Sequence, residues 1–177
     1  TQVILSTVST VTLLFARSVG VSRTRRTPGD GLFLAGTGLL LAFLSILWTW
    51  GGARLARRLV RLPTDRIDSA NMVRRAVSVG VTLNLTGMLF SLVGAEQIIG
   101  YLAIKVLTMQ GGIVPTGSSM LTAAPALQPL DILVVQANTN TLLSHFASLV
   151  SHLYLTSTID RLDPPSIPGD ERLIPDE

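Results

Sequence analysis

The chain has 177 residues, of which only 14% are charged, and its mean hydropathy is +0.50. These values exclude an ordinary soluble domain and indicate a membrane protein, because the apolar residues come in runs. No cysteine is present, which excludes disulfides and thiolate sites. The net charge of +3 comes from arginines that flank apolar segments, a pattern typical of membrane anchoring rather than of nucleic-acid binding.

The predicted fold is all-α: an integral membrane protein with four transmembrane helices, an interfacial amphipathic helix and an extended C-terminal tail. Residues 1–156 form the predicted four-helix domain. The first apolar segment, Thr1–Ala16, is shorter than the ~20 residues of a full span, so we expect its helix to begin upstream or to tilt little. Because the chain starts without Met, we interpret it as processed or truncated.

Two segments, Gly31–Trp50 and Ala76–Ala95, read as the second and third spans. Small residues recur on each at alternating spacings of four and three, which places them on one face of a helix. In lipid, such faces let helix backbones approach closely, so we predict that the two spans pack together. The residues predicted to form this contact are Gly38, Ala42, Gly80, Gly87 and Gly94.

The connection Gly51–Arg75 carries arginines on one helical face and leucines on another. It reads as an amphipathic helix at the membrane surface, whose arginines are either the charged end of the second span or a patch for anionic lipids, and we favour the charged end. After the third span, Gln97–Val106 reads as an interfacial helix. Because the third span and this interfacial helix are together too long for one crossing of the membrane, we expect a bend near Gly100.

The fourth span, about Leu130–Leu153, follows an uncharged loop and is unusually polar. A spacing of seven residues keeps its polar side chains close to one helical face, which must then face protein, water or a cofactor rather than lipid. Together with two side chains of the third span, they form a predicted polar track across the bilayer. The polar track consists of Asn84, Glu96, Asp131, Asn138, His145 and His152.

Three interpretations of the polar track stay open, ranked in this order. The track supplies hydrogen bonds between helices, or it forms an ion or proton path with Glu96 and Asp131 at its mouth, or His145 and His152 are candidate chlorophyll ligands. The two histidines lie seven residues apart, about 10.5 Å along a helix, too far to share one metal ion. No catalytic or metal-site motif is present in the sequence, so we expect a non-enzymatic protein.

The distribution of positive charge predicts the orientation. With four spans, nine of the 14 basic residues lie on the side that holds both termini and the central connection, against five on the other side. The positive-inside rule therefore places the termini in the cytoplasm or its plastid equivalent, the stroma. Residues 157–177 form an acidic, proline-containing tail that would be disordered alone, and we expect it to dock on a partner subunit.

Several segments between Gly31 and Leu155 resemble one known family. The motifs are Pro129-Leu130-Asp131, Val134–Thr141 and Leu143–Phe146 in the last span, Asn84–Met88 and Gly94–Glu96 in the third, and the Trp48–Arg57 region. They are similar to the plastid and cyanobacterial family of the small multi-spanning Tic subunit of the inner chloroplast envelope, also called Permease in Chloroplasts.

The resemblance implies four helices, termini in the stroma, and a role in protein import or in iron transport. It implies no catalytic residues. The leading hypothesis is therefore an import or permease component of the plastid inner envelope, in contact with membrane lipids and other membrane subunits. The alternative is an accessory structural subunit of a large photosynthetic complex in the thylakoid, with chlorophyll or lipid as bound cofactor.

Overall fold

The structure, a computed structural model, describes residues 1–21, 29–61, 66–110 and 129–162. The described residues form four α-helices and no strand, so the all-α expectation is confirmed. The helices are α1 (Gln2–Val21), α2 (Gly29–Arg61), α3 (Arg66–Gln110) and α4 (Pro129–Leu162). By length and composition, two of them are apolar enough to cross a membrane, over Phe33–Arg61 and Asp68–Leu107; the apolar part of α1, Gln2–Ala16, is shorter.

Neither predicted interfacial segment forms a separate helix, and the favoured interpretation of residues 51–61 as the charged end of the second span agrees with the structure. Residues 51–61 continue α2, and residues 97–106 continue α3, which passes through Gly100 as uninterrupted helix. Once a helix is nucleated, each added residue gains a hydrogen bond, and one glycine costs only about 1 kcal/mol relative to alanine. Residues 51–61 are thus the charged end of the second long helix. There the guanidinium of Arg54 lies 3.4 Å from the centre of the Trp50 ring.

α4 begins at a proline and ends beyond the predicted span. Pro129 at the first position loses no helical hydrogen bond, and Asp131 in the first turn complements the positive helix end. The helix continues to Leu162, so residues 157–162, which we assigned to the tail, are helical. The rest of the predicted docking tail lies outside the described residues.

The four helices form an antiparallel bundle. The most extensive contacts join α2 to α3, then α3 to α4 and α1 to α4, and α4 also touches α2. α4 therefore contacts every other helix and carries its polar stripe into the centre.

The core of this bundle is polar and its surface apolar. Among the described residues, the largest fully buried side chains are His145, Asn84, Asn138 and Thr141, followed by serines. The exposed surface holds many large apolar side chains, including Phe33, Leu40 and Leu89. Soluble proteins show the opposite distribution, because water drives large apolar side chains inward.

Candidate functional site

His145 lies at the centre of the site and touches two helices besides its own. Its side chain is fully buried. The ring nitrogen Nδ1 lies 3.0 Å from Asn84 Oδ1 of α3, and Nε2 lies 3.0 Å from the carbonyl oxygen of Gly38 in α2. The face of the ring packs on Gly87, where a Cβ atom would overlap it. One imidazole therefore ties α4 to both α2 and α3.

Asn84 connects the hydrogen bonds around His145. Its Oδ1 also accepts from Ser45 Oγ of α2 at 3.0 Å, while its Nδ2 donates to Gly80 O at 2.8 Å and to Ser148 Oγ of α4 at 3.1 Å. The carbonyl of Gly80 only accepts, so it fixes which end of the amide is Nδ2. Every polar atom of this buried amide has a partner.

His152 repeats the packing of His145 two turns further along α4. Its ring lies on Gly80, as the ring of His145 lies on Gly87. Nδ1 lies 2.8 Å from Ser148 O and 3.4 Å from Ser148 Oγ, so the ring hydrogen-bonds within its own helix. Seven residues separate the two histidines of α4, and seven separate the two glycines of α3. Because α3 and α4 are antiparallel, this equal spacing lets each histidine ring lie on one glycine.

These contacts correct the predicted role of the small residues. Gly38 does face α3: a Cβ atom there would lie 3.4 Å from Gly87 O and would overlap Ser91 Oγ. Ala42 is fully buried, and Gly94 is buried too. The open faces of Gly80 and Gly87, however, accommodate histidine rings of α4 rather than the backbone of α2. A row of glycines on one helix face predicts close approach of a neighbouring helix, but it does not show which helix approaches or whether its backbone or a side chain makes the contact.

Asn138 lies in the interior nearer the other end of the bundle. Its Nδ2 donates to the carbonyl oxygen of Ser91 at 2.8 Å, and the side chain is 2% exposed. Within the described part of the chain, Asn138 Oδ1 and Ser91 Oγ have no hydrogen-bond partner. The hydrogen bond joins α4 to α3 one helical turn beyond Gly87.

The two predicted mouth residues differ in position. Asp131 Oδ2 accepts a hydrogen bond from Lys105 Nζ at 2.6 Å, and the lysine side chain is 9% exposed. Glu96, in contrast, lies on the exposed face of α3 and does not join the interior. Glu96 lies nine residues from Gly87, about 180° around the helix, so its place in the polar track was wrong.

Sequence reasoning missed the hydroxyls that join α1 to α4. Ser6 Oγ lies 3.1 Å from Ser144 Oγ, and Ser9 Oγ donates to the carbonyl of Ala137 at 2.9 Å. Serine is small and mildly polar, so in sequence it looks like any helix-packing residue. The signal available in the sequence was that serines recur on the same helical face as alanines.

The geometry separates the three interpretations of the polar track. Both nitrogens of His145 face protein oxygens, and Nε2 of His152 packs against Gly80, so neither ring is directed at a pigment. A proton path along the hydrogen bonds described around His145 would pass through the amide of Asn84, which does not exchange protons as readily as a hydroxyl or an imidazole does. The described residues also contain no group of three His, Cys, Asp or Glu that could hold a metal ion. The arrangement is best suited to joining helices.

Comparison with known proteins identifies relatives of the chain. The sequence profile of a family described as "Protein of unknown function (DUF3611)" matches residues 1–160. The chain is also 33% identical over 171 residues to the Arabidopsis thaliana protein named "Protein TIC 21, chloroplastic". The match covers 94% of this chain and 55% of that protein, so the chain spans about half the length of its relative. No solved structure matches.

Proposed function

The chain belongs to the DUF3611 family. From its similarity to the chloroplastic Arabidopsis protein, we propose that it is a non-enzymatic protein of the plastid inner envelope that serves in protein import or permeation. Two observations support a plastid role. The motifs in the third and fourth spans resemble the Tic family, and the Arabidopsis relative is named as chloroplastic.

The distribution of polarity supports insertion in a membrane. The core holds Asn84, Asn138 and His145, while large apolar side chains cover the outside of the helices. In lipid nothing expels apolar groups from the surface, and polar groups are stable only where other helices satisfy them. This observation carries the membrane part of the proposal, and the similarity to the chloroplastic relative carries the plastid part.

We propose that all four helices cross the bilayer. They contain 20, 33, 45 and 34 residues. At 1.5 Å per residue even α1 reaches about 30 Å, the thickness of the hydrocarbon core. Among the described helices, α2 and α3 contain a window apolar enough to mark a span, whereas α4 carries a polar stripe that faces the bundle. With four crossings, the excess of arginine in the central connection favours a stromal location for both ends of the chain.

The absence of cysteine allows a direct test of this topology. Single cysteines at Thr24 and Ser118 place one thiol in the first and third connections, and a cysteine at Ala56 places one in the arginine-rich end of α2. In sealed vesicles that contain the protein, an impermeant maleimide should label the Thr24→Cys and Ser118→Cys variants from one side and Ala56→Cys from the other. Labelling of all three variants from one side would contradict four crossings.

The packing of the interior favours a component of an assembly over a self-contained pore. The described axis of the bundle is filled where His145 and His152 pack on glycines, and the hydrogen bonds there run through the amide of Asn84, which does not readily relay protons. We therefore propose that any route for a substrate runs between this protein and other chains. The alternative, a photosynthetic subunit with chlorophyll on His145 or His152, draws no support from the ring nitrogens.

Plastids depleted of the protein test the function. Import of a labelled precursor protein and uptake of labelled iron should be measured in the same preparation, before and after restoring the wild-type chain. A restored import with unchanged iron uptake supports an import component, and the reverse supports a permease. If neither activity changes while photosynthetic complexes are lost, the proposal is wrong.

A further inference from the structure

The hydrogen bonds around His145 contain one donor too few for a neutral ring. Its Nε2 lies 3.0 Å from the carbonyl oxygen of Gly38, and its Nδ1 lies 3.0 Å from Asn84 Oδ1. A backbone carbonyl only accepts, so the contact with Gly38 requires a hydrogen on Nε2. A neutral imidazole carries one N–H, and its other nitrogen is an acceptor. In a neutral ring Nδ1 would therefore face Asn84 Oδ1 as a second acceptor.

The amide of Asn84 is not free to supply the donor that Nδ1 would need. Its Nδ2 donates to the carbonyl of Gly80 at 2.8 Å and to Ser148 Oγ at 3.1 Å. Turning the amide by 180° would direct Nδ2 at His145 but would place Oδ1 against the Gly80 carbonyl, where two acceptors would then meet. Turning the imidazole instead would place ring carbons against both oxygens. Each of these neutral arrangements loses at least one hydrogen bond in the buried core.

One additional proton on the ring satisfies every contact in this cluster. A protonated imidazole donates from both nitrogens, so Gly38 O and Asn84 Oδ1 each receive a hydrogen. Asn84 Oδ1 also accepts from Ser45 Oγ at 3.0 Å, and its two lone pairs allow both bonds. The two bonds from the charged ring are charge-assisted and stronger than neutral ones. The arrangement described is thus the one that a protonated His145 requires.

No charged side chain of the surrounding helices fixes this charge on the ring. Residues 2–16 of α1, 33–50 of α2 and 76–95 of α3 contain no charged or titratable side chain, and residues 132–159 of α4 add only His152 and the exposed Tyr154. The two charge-assisted hydrogen bonds stabilise the protonated ring, whereas burial without a counter-charge destabilises it. Because these effects oppose each other, the ring can take up and release a proton.

We propose that His145 is a proton-binding site that links the packing of three helices to pH. Its protonated ring donates to Gly38 O in α2 and to Asn84 Oδ1 in α3. Release of one proton to water leaves two acceptors 3.0 Å apart, so one contact opens and α4 loses its tie to α2 or to α3. His152 differs, because only its Nδ1 faces a carbonyl oxygen, that of Ser148, and one N–H is then sufficient.

Nuclear magnetic resonance of the full chain in detergent, with ¹⁵N-labelled histidine, tests the assignment. The shifts of the two ring nitrogens distinguish a ring with one hydrogen from a ring with two. The chain has two histidines, so His152→Gln leaves the signals of His145 alone. A titration between about pH 5 and pH 8 covers the range in which histidines usually change charge. We expect His145 to carry two hydrogens at the acidic end and one at the basic end.

The carbonyl carbons of Gly38 and of the Asn84 side chain report the two contacts in the same titration. At least one of these signals should shift together with the ring nitrogens. Gly36 is the control for Gly38, because nothing lies within 4 Å of a Cβ atom there. Asn140, which hydrogen-bonds to Gln136, is the control for Asn84. Both control signals should stay constant, and His145→Gln should abolish the shift at Gly38 and Asn84.

Asn84→Leu removes the acceptor at Nδ1, so a neutral ring with its hydrogen on Nε2 then satisfies Gly38. This variant should bind the second proton about tenfold more weakly, because one charge-assisted hydrogen bond is lost. Asn140→Leu should titrate as wild type does. A His145 ring that keeps a single hydrogen over the whole range would overturn the proposal, and this measurement does not depend on the folding of any Asn84 variant. Constant signals at both Gly38 and Asn84, or equal proton binding by Asn84→Leu and wild type, would overturn it as well.

Discussion

The imidazole of His145 fills the space on Gly87 that a Cβ atom would need. Because the ring also lies within hydrogen-bond distance of Asn84 and of the Gly38 carbonyl, it has little freedom to move aside. Close packing of α3 and α4 thus depends on the absence of a side chain at one position. The His145 ring of α4 occupies the space that the lack of a side chain at Gly87 leaves on α3.

The first prediction concerns this contact. Gly87→Ala should lower the free energy of unfolding by about 1–3 kcal/mol, since the methyl group forces the ring away from its partners. Gly36→Ala is the control, because nothing lies within 4 Å of a Cβ atom there. That variant should be neutral or more stable by up to about 1 kcal/mol. Equal effects of the two substitutions, measured by denaturant unfolding in micelles, would contradict the packing described.

A second prediction uses the pair of Gly80 and His152. Gly80→Ala and His152→Ala should each destabilise the protein, but the double variant should lose less than their sum, because the methyl group enters the space of the missing ring. The expected coupling energy is about 0.5–3 kcal/mol. Gly36→Ala combined with His152→Ala should be additive. Additivity of both pairs in the same unfolding assay would show that the ring and Gly80 do not meet.

A third prediction compares Asn84, which is buried in the bundle, with Asn140, which lies on the exposed side of α4. Asn84→Leu removes four interhelical or local hydrogen-bond contacts and should cost about 2 kcal/mol, at roughly 0.6 kcal/mol for each bond in a membrane. Asn140 hydrogen-bonds only to Gln136 on the exposed side of α4 among the contacts described. Asn140→Leu should leave stability unchanged or raised. Thermal unfolding of both variants measures this difference, and equal effects of the two substitutions on stability would contradict the prediction.

The fourth prediction concerns the ion pair at the other end of α3 and α4. Lys105→Met leaves the partly buried Asp131 without its nearest counter-charge and should cost about 3 kcal/mol. Adding Asp131→Leu should restore most of that loss, because the double variant leaves no uncompensated charge. The more exposed pair of Arg74 and Asp160 should contribute no more than about 1 kcal/mol. A double variant less stable than Lys105→Met would contradict this view.

Part of this arrangement is predictable from the sequence. The seven-residue spacing on α4 places Asn138, His145 and His152 on one face, and the structure places all three in the interior. The same rule of 100° per residue, applied to α3, would have excluded Glu96 from the side of Gly87. Periodicity within one helix is therefore reliable when it is applied to every candidate.

The pairing of helices is not available from such patterns. Gly80 and Gly87 looked like a contact with α2, and only the assembled bundle shows that histidines of α4 occupy their faces. The partner of Asp131 was also missed, because Lys105 lies in the segment Gln97–Val106, which was interpreted as a separate interfacial helix. These errors have one cause: a spacing describes one helix face, whereas a contact depends on which helix lies opposite.

The repeated contact has a consequence for how the bundle reaches its native arrangement. Because histidines and glycines both recur every seven residues, a shift of α4 by about 10.5 Å along α3 would again place one histidine on one glycine. Such a shifted arrangement is a natural misfolded competitor of the native one. The salt bridge of Lys105 and Asp131 occurs at a single place and would be pulled apart by that shift. The salt bridge therefore disfavours the shifted alignment, together with the hydrogen bonds of Asn84 and Asn138, which the same shift would break.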